Sequence, residues 1–560
     1  MKVLEAIIME KIRLLTLGGL DEDGRNMTIV EIDDDIIVID AGLKYPEHSI
    51  LGVESIIPNF SYLVERKDRV LGIIVTHGHD DVMGALPYFI KECNVPIYAA
   101  PFTALVIDDL LKKHHITDYK LHRIKRFGNI SLGRHKIRTF GLTHSISDTI
   151  GLAISTSHGY IVHANEYIID FDLNIPSFDC DITEFAEIGK KGVYMLMTES
   201  RSSERVGFTS PRHRIKSALE PIIENSQNRV VITLYEQNLF RLIEVFELAV
   251  KYRKKIVFAS ENHRLYMNYL KKLKYYDLPD DLEIRPQRFE NNREDVIVIV
   301  ADQGPSVFRL MHTIATGDHQ FVRLRQSDTV VIASPVVPGS EKDASKMEDE
   351  LFKDGVTVES LPRELFLTMH PSSEDLKMML TLLKPKYYIP LKGEYRHLIE
   401  NANLALNRGY YAGNIIVLDN GQVAAFEDGE LKSQNEFVET DEVFIDGQES
   451  LDSTGLVLKD REILATDGTL IVGIVINFET KEILGGPDVQ SRGVIYLKDA
   501  DYVVKECGNI LERVINEQVS ENRYDNISAR NEARDHMSRY VLKMTGKRPM
   551  ILPIIIEINV

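Results

Sequence analysis

The sequence predicts an α/β protein of two to four domains. Apolar runs alternate with turns near the start of the chain, strand and helix patterns alternate after residue 205, and the segment after 455 follows a β-α-β order. A chain of 560 residues is also too long for one hydrophobic core. We therefore expect several domains, each built around its own sheet.

The first 200 residues are predicted to be rich in β-strands, because short apolar runs alternate there with glycines and polar turns. Strands are predicted over 12–15, 27–32, 36–40, 70–75, 96–99, 137–142, 151–155 and 160–164. Helices are predicted over 83–92 and 103–113.

Beyond residue 205 the pattern changes to strand–helix alternation, which indicates a separate unit with a parallel sheet. Its predicted strands are 230–234, 255–259, 296–300 and 330–334, with helices over 238–252 and 262–273. A helix over 376–384, a strand over 387–390 and strand pattern over 414–427 follow.

The C-terminal part begins after an acidic, aperiodic stretch over 429–450, which is predicted to be a linker. A hairpin-like segment over 455–479 is predicted next, and helices near 500–520 and 527–544 and a strand over 550–558 complete the chain.

Composition favours a soluble, cytoplasmic protein. Three widely spaced cysteines indicate reduced thiols, and no run approaches the ~18 apolar residues needed to cross a bilayer. Because the formal net charge is −19, nucleic acid would have to bind through local basic patches.

The chemically most informative stretch is Thr76-His77-Gly78-His79-Asp80-Asp81-Val82, directly after an apolar strand. Imidazole and carboxylate ligands at a strand end suit zinc or manganese. Two further strands are followed by candidate ligands, His144 and Glu166, and the turn 391–394 follows another strand. This spacing predicts one metal centre assembled from distant loops.

These motifs resemble those of the metallo-β-lactamase superfamily, and the whole chain resembles the ribonuclease J family. The matching stretches are Gly18-Gly19-Leu20, Ile39-Asp40-Ala41-Gly42, Thr76-His77-Gly78-His79, Gly393-Glu394-Tyr395-Arg396 and Arg548-Pro549-Met550-Ile551-Leu552-Pro553. The resemblance implies a metallo-β-lactamase αβ/βα sandwich, an inserted β-CASP α/β domain and a small C-terminal α+β domain. The implied boundaries are 1–207 and 361–428 for the two parts of the sandwich, 208–360 for the β-CASP domain and 451–560 for the C-terminal domain.

The resemblance also implies a function. Members cut RNA from the 5′ to the 3′ end, and also internally, with two zinc or manganese ions, during RNA processing and mRNA decay. Dimers and tetramers form partly through the C-terminal domain, and association with an RNA degradosome is implied as well. No membrane partner is expected.

Several family positions are changed in this chain. The resemblance assigns His77, His79 and His144 to one metal ion, Asp81 to the second, and Glu166 to the bridge between them, with Asp40 orienting a ligand from behind. Two further histidine ligands of the second ion are replaced here by Val82 and Lys392. Hydrolysis in this class uses paired metals. Because the second site has lost two ligands and gained a like charge, we expect at most one Zn²⁺ or Mn²⁺ per chain.

The phosphate-handling motifs are changed too. The β-CASP acid persists as Glu199, but a following histidine is Phe240, and Asp302 stands where a hydroxyl is expected. Of the loop that grips phosphate, Phe366-Leu367-Thr368-Met369-His370, only His370 matches the family pattern. Asp81, Glu199 and His370 are the candidate catalytic residues.

These changes resemble the second, degenerate paralogue found beside an active ribonuclease J. The chain is then expected to be weak or inactive alone and to form homodimers or heterotetramers with its active sister. A slow single-metal exoribonuclease remains the alternative. Asp81 could instead cap the helix that follows it, and His163 is expected to be structural.

Overall fold

The computed structural model describes residues 10–46, 52–173, 175–260, 262–279, 281–304, 306–336, 340–362, 366–447, 449–450, 456–494 and 500–559. The chain divides into two compact units, one formed by 1–48 and 54–448 and one formed by 49–53 and 449–560.

The strands are β1 (Lys11–Gly18), β2 (Met27–Ile32), β3 (Asp35–Ile39), β4 (Ser55–Ile57), β5 (Val70–Val75), β6 (Ile97–Ala99), β7 (Leu121–Arg123), β8 (Gly128–Leu132), β9 (His135–Gly141), β10 (Ile150–Thr156), β11 (Gly159–Ala164), β12 (Val193–Glu199), β13 (Val230–Tyr235), β14 (Lys255–Phe258), β15 (Val296–Asp302), β16 (Thr329–Ile332), β17 (Thr357–Ser360), β18 (Tyr387–Leu391), β19 (Gln422–Glu427), β20 (Glu430–Phe437), β21 (Val443–Asp446), β22 (Glu449–Ser450), β23 (Thr469–Asn477), β24 (Ile483–Arg492) and β25 (Met550–Ile558).

The α-helices are α1 (Ser61–Val64), α2 (Asp80–Met83), α3 (Leu86–Glu92), α4 (Pro101–Lys113), α5 (Ile182–Lys191), α6 (Lys216–Asn225), α7 (Leu239–Lys251), α8 (Asn262–Leu273), α9 (Ser306–Ala315), α10 (Glu341–Asp354), α11 (Ser373–Leu383), α12 (Tyr395–Asn407), α13 (Leu456–Thr466), α14 (Ala500–Ser520) and α15 (Asn526–Thr545).

Two sheets form a sandwich in the first unit. One has the order β20-β19-β1-β2-β3-β5-β6-β7 and the other the order β18-β12-β11-β10-β9-β8. Apolar side chains of both sheets share one core, among them Ile37 and Ile39 from one and Leu152, Ile161 and Met195 from the other. This packing brings the ends of β3 and β5 close to the ends of β9, β11 and β18.

A five-stranded sheet, β14-β15-β13-β16-β17, lies between the two halves of the sandwich in the sequence. Its paired strands are all parallel. The strand–helix alternation therefore predicted this sheet correctly. Its interior holds a fully buried ion pair, Arg229 with Asp328.

The C-terminal unit consists of the sheet β24-β23-β25 and helices packed against it. Val472 and Ile474 of β23 and Ile551 and Ile555 of β25 are buried together with apolar side chains of α14 and α15. The alternate positions of β25, Leu552, Ile554 and Ile556, are exposed.

Several strands, among them β7, β8 and β12, were not predicted, and three predicted segments differ from the structure. The stretch 429–450, predicted to be a linker, contains β20, which pairs with β19 in the eight-stranded sheet, and β21, which pairs with β4; position 448 lies outside the described residues. Most of β20 is exposed at the sheet edge, so its polar side chains carry no apolar alternation, while its backbone still forms the ladder.

The predicted hairpin over 455–479 is α13 followed by β23, and the hairpin partner of β23 is β24. Finally, only 422–427 of the predicted strand 414–427 is extended in the sheet.

Candidate metal centre

The sequence-predicted ligands converge at one edge of the sandwich. His77 and His79 follow β5, His144 follows β9, and Glu166 follows β11. The ligand atoms of these four side chains all lie within 4.8 Å of one another. The strand ends thus bring together residues that are up to 89 positions apart in the sequence.

The four ligand atoms are His77 Nε2, His79 Nδ1, His144 Nε2 and Glu166 Oε2. His79 Nδ1 lies 3.1 Å from His77 Nε2 and 3.2 Å from His144 Nε2. Glu166 Oε2 lies 3.2 Å from the nitrogens of His77 and His144 and 3.8 Å from that of His79.

These separations fit one tetrahedral ion. Zinc binds imidazole and carboxylate at about 2.0–2.2 Å, so neighbouring ligand atoms of a tetrahedral site lie about 3.3–3.6 Å apart. The five separations given above, 3.1–3.8 Å, bracket that spacing. The donor set also suits manganese, which accepts nitrogen and oxygen ligands.

Each imidazole is oriented by an oxygen on its other nitrogen. His144 Nδ1 lies 2.8 Å from the carbonyl oxygen of Met369, and His77 Nδ1 lies 3.1 Å from Thr76 Oγ1. His79 Nε2 lies 3.4 Å from the Gln237 carbonyl oxygen. Such contacts fix the tautomer and leave the facing nitrogen free for a metal.

Asp40 lies behind His77 and reaches it through Thr76. Its Oδ1 accepts from the Thr76 backbone N–H at 2.7 Å and its Oδ2 from the Thr76 hydroxyl at 3.0 Å. Asp40 therefore positions Thr76, which in turn contacts His77. Burial raises the pKa of Asp40 well above its usual range, and the two bonds from Thr76 only partly offset this.

The side of the site predicted for a second metal ion holds an ammonium group. Lys392, only 1% exposed, follows β18 and contacts Asp81 Oδ2 at 2.5 Å and also Glu166 Oε1. Val82 is fully buried in the apolar core. Neither replacement supplies a metal ligand, since a protonated amine and an alkyl group have no lone pair to donate.

Asp81 pairs with Lys392 instead of capping a helix. Asp81 is the second residue of α2. The N-cap residue of this helix is His79, and its side chain forms no capping hydrogen bond. Asn26 Nδ2 lies 3.3 Å from Asp81 Oδ2, and the Asp81 carbonyl comes so close to Gly42 that a Cβ there would lie 1.7 Å from it. The glycine of the Asp40-Ala41-Gly42 turn is thus required for this close approach.

The charges of the site are mutually compensated. Burial would raise the pKa of Glu166, but Lys392 and His77 lower it well below its usual range. Burial and Glu166 would raise the pKa of Asp81, but Lys392 and the two histidines lower it overall. Burial lowers the pKa of His144 to about 4, so this imidazole is neutral at neutral pH, as a metal ligand must be.

Three residues of the centre have backbone conformations that L-amino acids rarely adopt. The φ angles are 66° at Asp40, 55° at Glu166 and 48° at Lys392. A left-handed conformation costs about 1–2 kcal/mol for a residue with a side chain. The surrounding structure holds these strained positions where each strand ends and aims the side chains into the site.

The other candidate residues lie beside this cluster. His370 Nδ1 is 2.7 Å from Glu199 Oε1, and His370 Nε2 is 3.4 Å from Arg201. Burial raises the pKa of Glu199 to about 8, and burial with Arg201 and Lys392 lowers the pKa of His370 well below its usual value. In the predicted phosphate loop, Leu367 and Met369 are buried, whereas Phe366 and Thr368 are half-buried.

Sequence reasoning missed three groups that orient the site. They are the Met369 and Gln237 carbonyls and the Thr76 hydroxyl. Only Thr76 left a signal, because it directly precedes the first histidine. His163, expected to be structural, is buried outside the ligand cluster, and burial lowers its pKa to about 4.

Comparisons with known families match three parts of the chain. Residues 20–145 match the metallo-β-lactamase superfamily, residues 227–351 the ribonuclease J β-CASP domain, and residues 456–558 the ribonuclease J C-terminal domain. Ribonuclease J2 of Bacillus subtilis (strain 168) is 33% identical over 98% of this chain and 99% of its own length. The chain belongs to the ribonuclease J family.

Other ribonuclease J relatives agree with this assignment. Ribonuclease J 2 of Staphylococcus aureus (strain NCTC 8325) is 32% identical, and that of Staphylococcus epidermidis (strain RP62A) is 31% identical, each over 98% of both chains. A solved structure of a protein of unknown function from Enterococcus faecalis V583 matches with a TM-score of 0.51 over 74% of this chain and all of the other. At 15% identity, that match supports the fold only.

Membership confirms the predicted architecture of metallo-β-lactamase, β-CASP and ribonuclease J C-terminal domains. The ribonuclease J family acts on RNA, and the superfamily together with the His/Glu cluster implies a divalent metal. Among the residues that the structure describes, no helix has the length and apolar character of a membrane span.

Proposed function

We propose that this ribonuclease J holds a single divalent ion, Zn²⁺ or Mn²⁺, and is weak or inactive as a nuclease on its own. Its role is then to bind RNA and to assemble with an active ribonuclease J during RNA processing and decay. The observation that carries the proposal is the Lys392 ammonium between Asp81 and Glu166, on the side where a second ion would bind.

Loss of the second ion has a direct chemical consequence. Phosphodiester hydrolysis in two-metal enzymes uses one ion at the attacking oxygen and one at the leaving oxygen. The ion held by His77, His79, His144 and Glu166 would supply Lewis acidity to one phosphate oxygen. In place of the second ion there is only the Lys392 ammonium, which carries one charge and is already paired with two carboxylates. We therefore expect a rate of RNA cleavage about 100-fold or more below that of a two-metal member.

The alternative is a slow exoribonuclease that cuts RNA from the 5′ end with one ion. The Glu199–His370 contact favours it, because the raised pKa of Glu199, about 8, lets this carboxyl hold a proton at neutral pH. A protonated Glu199 beside the metal cluster would be the proton donor for a leaving oxygen.

A partner role is supported by the C-terminal unit. Leu552, Ile554 and Ile556 of β25 expose 43–51% of their surface on one face of the sheet. Contiguous exposed apolar side chains mark interaction surfaces. We propose that this face contributes to a homodimer or to a heterotetramer with the active paralogue, and that the assembly is cytoplasmic, where the three free cysteines stay reduced.

The test combines elemental analysis with nuclease assays. The natively purified chain should contain about one divalent ion, and it should leave 5′-monophosphorylated RNA largely intact with Mn²⁺ present. Mixing it with an active ribonuclease J should give a larger complex and change that enzyme's rate. Full activity alone would refute the proposal, as would the absence of any complex; slow activity lost on His77→Ala/His79→Ala would select the alternative.

A further inference from the structure

Lys392 occupies a position that is costly for a charged side chain. It is 1% exposed, and a lysine removed from water requires close ionic partners. Its ammonium has two, Asp81 Oδ2 and Glu166 Oε1. Each is a carboxylate, so two negative charges surround one positive charge.

The backbone around Lys392 fixes where the ammonium lies. The residue has a left-handed φ of 48°, its carbonyl accepts from the Ser200 N–H at 3.0 Å, and the following Gly393 N–H donates to the Glu22 carbonyl at 3.2 Å. The peptide unit after Lys392 is thus held by two backbone bonds, and the preceding Leu391 is held by the pairing of β18 with β12. The ammonium is a built part of the site and not a surface side chain that happens to fold inward.

Glu166 divides its two oxygens between the three imidazoles and the Lys392 ammonium. Oε2 faces the three histidine nitrogens, at 3.2–3.8 Å, and completes the tetrahedral donor set. Oε1 faces Lys392. One carboxylate therefore bridges the imidazole site and the ammonium, and Asp81 contacts the ammonium from another side.

We infer that the Lys392 ammonium replaces a second metal ion as the permanent cation of this centre. It neutralises Asp81, holds Glu166 in the orientation in which Oε2 serves as a ligand, and excludes a second divalent ion. Lys392 is thus a positioning residue for the metal site. The inference rests on the proposed single-metal site, but it requires neither RNA cleavage nor a partner subunit.

The inference makes a charge-specific prediction. When the ammonium is removed, the buried Glu166 and the partly exposed Asp81 lose their counter-charge, and such carboxylate oxygens attract a hard divalent cation. A neutral side chain at 392 should therefore lower the stability of the metal-free protein and at the same time allow a second ion to bind. If Lys392 only filled space, its replacement by a neutral side chain of the same length would have neither effect.

The experiment is a double-mutant cycle on the full chain. The variants are Lys392→Met, which keeps the length of the side chain, Asp81→Asn, and the two combined. Lys386→Met is the matched control, because Lys386 pairs with Glu430 at the surface near the start of the same strand. Thermal midpoints are measured after chelation and again with excess Mn²⁺, and bound Mn²⁺ is counted by equilibrium dialysis and elemental analysis.

We expect one Mn²⁺ in the unaltered chain and more than one in Lys392→Met. The metal-free midpoint of Lys392→Met should fall by several degrees and recover in excess Mn²⁺. The combined variant should lose less than the sum of the two single losses, and Lys386→Met should match the unaltered chain throughout. If Lys392→Met does not fold, recovery of a folded combined variant supports the inference, whereas failure of both overturns it.

Other results separate this inference from the proposed function. Two ions in the unaltered chain, or additive losses in the cycle, would overturn the inference. An unaltered chain that binds no ion would refute the single-metal site, while the metal-free cycle would still measure whether Lys392 and Asp81 are coupled. A nuclease assay enters none of these outcomes.

Discussion

The Nδ1 atom of His144 lies 2.8 Å from the carbonyl oxygen of Met369. The contact joins the metal centre to the loop 366–370, which is more than 200 positions away in the sequence. Because the acceptor is a backbone atom, no side-chain substitution at 369 removes it, and His144 keeps its Nε2 free for the ion. At His77 the corresponding acceptor is the Thr76 side chain, so there the same dependence can be tested by mutation.

Replacing Thr76 by valine should weaken metal binding about 10- to 100-fold. Valine keeps the shape of threonine but removes the hydroxyl that contacts His77 Nδ1 and donates to Asp40. Thr76→Ser, which retains the hydroxyl, is the control and should bind as the unaltered chain does. A competition titration of Co²⁺ against a chelator measures the affinity; equal affinities for the valine and serine variants would contradict the argument.

Glu244 should make the protein less stable as the pH rises from about 5 to 8. Burial raises the pKa of Glu244 to about 7, although its Oε2 accepts from the Ile215 N–H at 3.0 Å. Between its unfolded pKa, about 4.3, and its folded pKa, the unfolded chain ionises while the folded chain keeps its proton, so the free energy of unfolding falls.

The variant Glu244→Gln lacks this titration. Its thermal midpoint should be equal to or lower than that of the unaltered chain at pH 5 and higher at pH 8. The corresponding change in the difference between their free energies of unfolding is about 1–3 kcal/mol. Glu247→Gln, at an exposed position of the same helix, should show no such trend. A pH-independent difference for Glu244→Gln would show that the carboxyl does not titrate in this way.

Arg229 should be essential for the stability of the five-stranded sheet. It pairs with Asp328, both side chains are 0% exposed, and the guanidinium also contacts Asn291. Arg229→Met leaves the buried Asp328 with only the Arg325 N–H at 2.8 Å and the more distant Arg325 Nε at 3.6 Å, and breaking a buried ion pair costs about 3–5 kcal/mol. Differential scanning calorimetry should show a large fall in the midpoint.

The controls for Arg229 are a surface pair and a second change. Arg309→Met, which removes a 2.9 Å contact with Asp343 at the surface, should leave the midpoint unchanged. Adding Asp328→Leu to Arg229→Met should recover part of the loss, because the unpaired charge disappears. If it recovers nothing, the loss comes from packing and not from charge.

A charge placed on the apolar face of β25 should break the assembly without unfolding the chain. Ile554 is 43% exposed, so Ile554→Glu costs little in the monomer but is unfavourable in an apolar contact. Asn531→Glu, at an exposed position of α15, which packs against the other face of the sheet, is the control. Light scattering should show smaller particles for Ile554→Glu alone; an unchanged mass would place the contact elsewhere.

Much of the fold was predictable because most of its elements bury an apolar face. The strand–helix alternation predicted β13 to β16 and their parallel sheet, since strands covered on both sides are continuously apolar. β20 was missed because an exposed edge strand needs only its backbone bonds. The Arg229–Asp328 pair was also beyond prediction, because its partners are 99 positions apart and carry no local pattern.

The candidate site was predictable in part: four of its side chains could be recognised from the sequence, whereas the role of Asp81 could not. His77, His79, His144 and Glu166 follow strands in a recognisable order, and the structure brings them together. The role of Asp81 was not resolved by the sequence, since a helix cap and a metal ligand use the same side chain. The structure gives a third arrangement, an ion pair with Lys392, which depends on two loops meeting across the sandwich.

The Lys392 ion pairs make the loss of the second ion difficult to reverse by a single substitution. A single change of Lys392 to a histidine would restore one ligand, but Val82 would still offer none, and Asp81 and Glu166 would lose their counter-charge at once. That single change would therefore destabilise the protein without restoring catalytic activity. A change at 392 alone can admit an ion held by Asp81 and Glu166, but a second site with its full set of ligands requires changes at both 82 and 392.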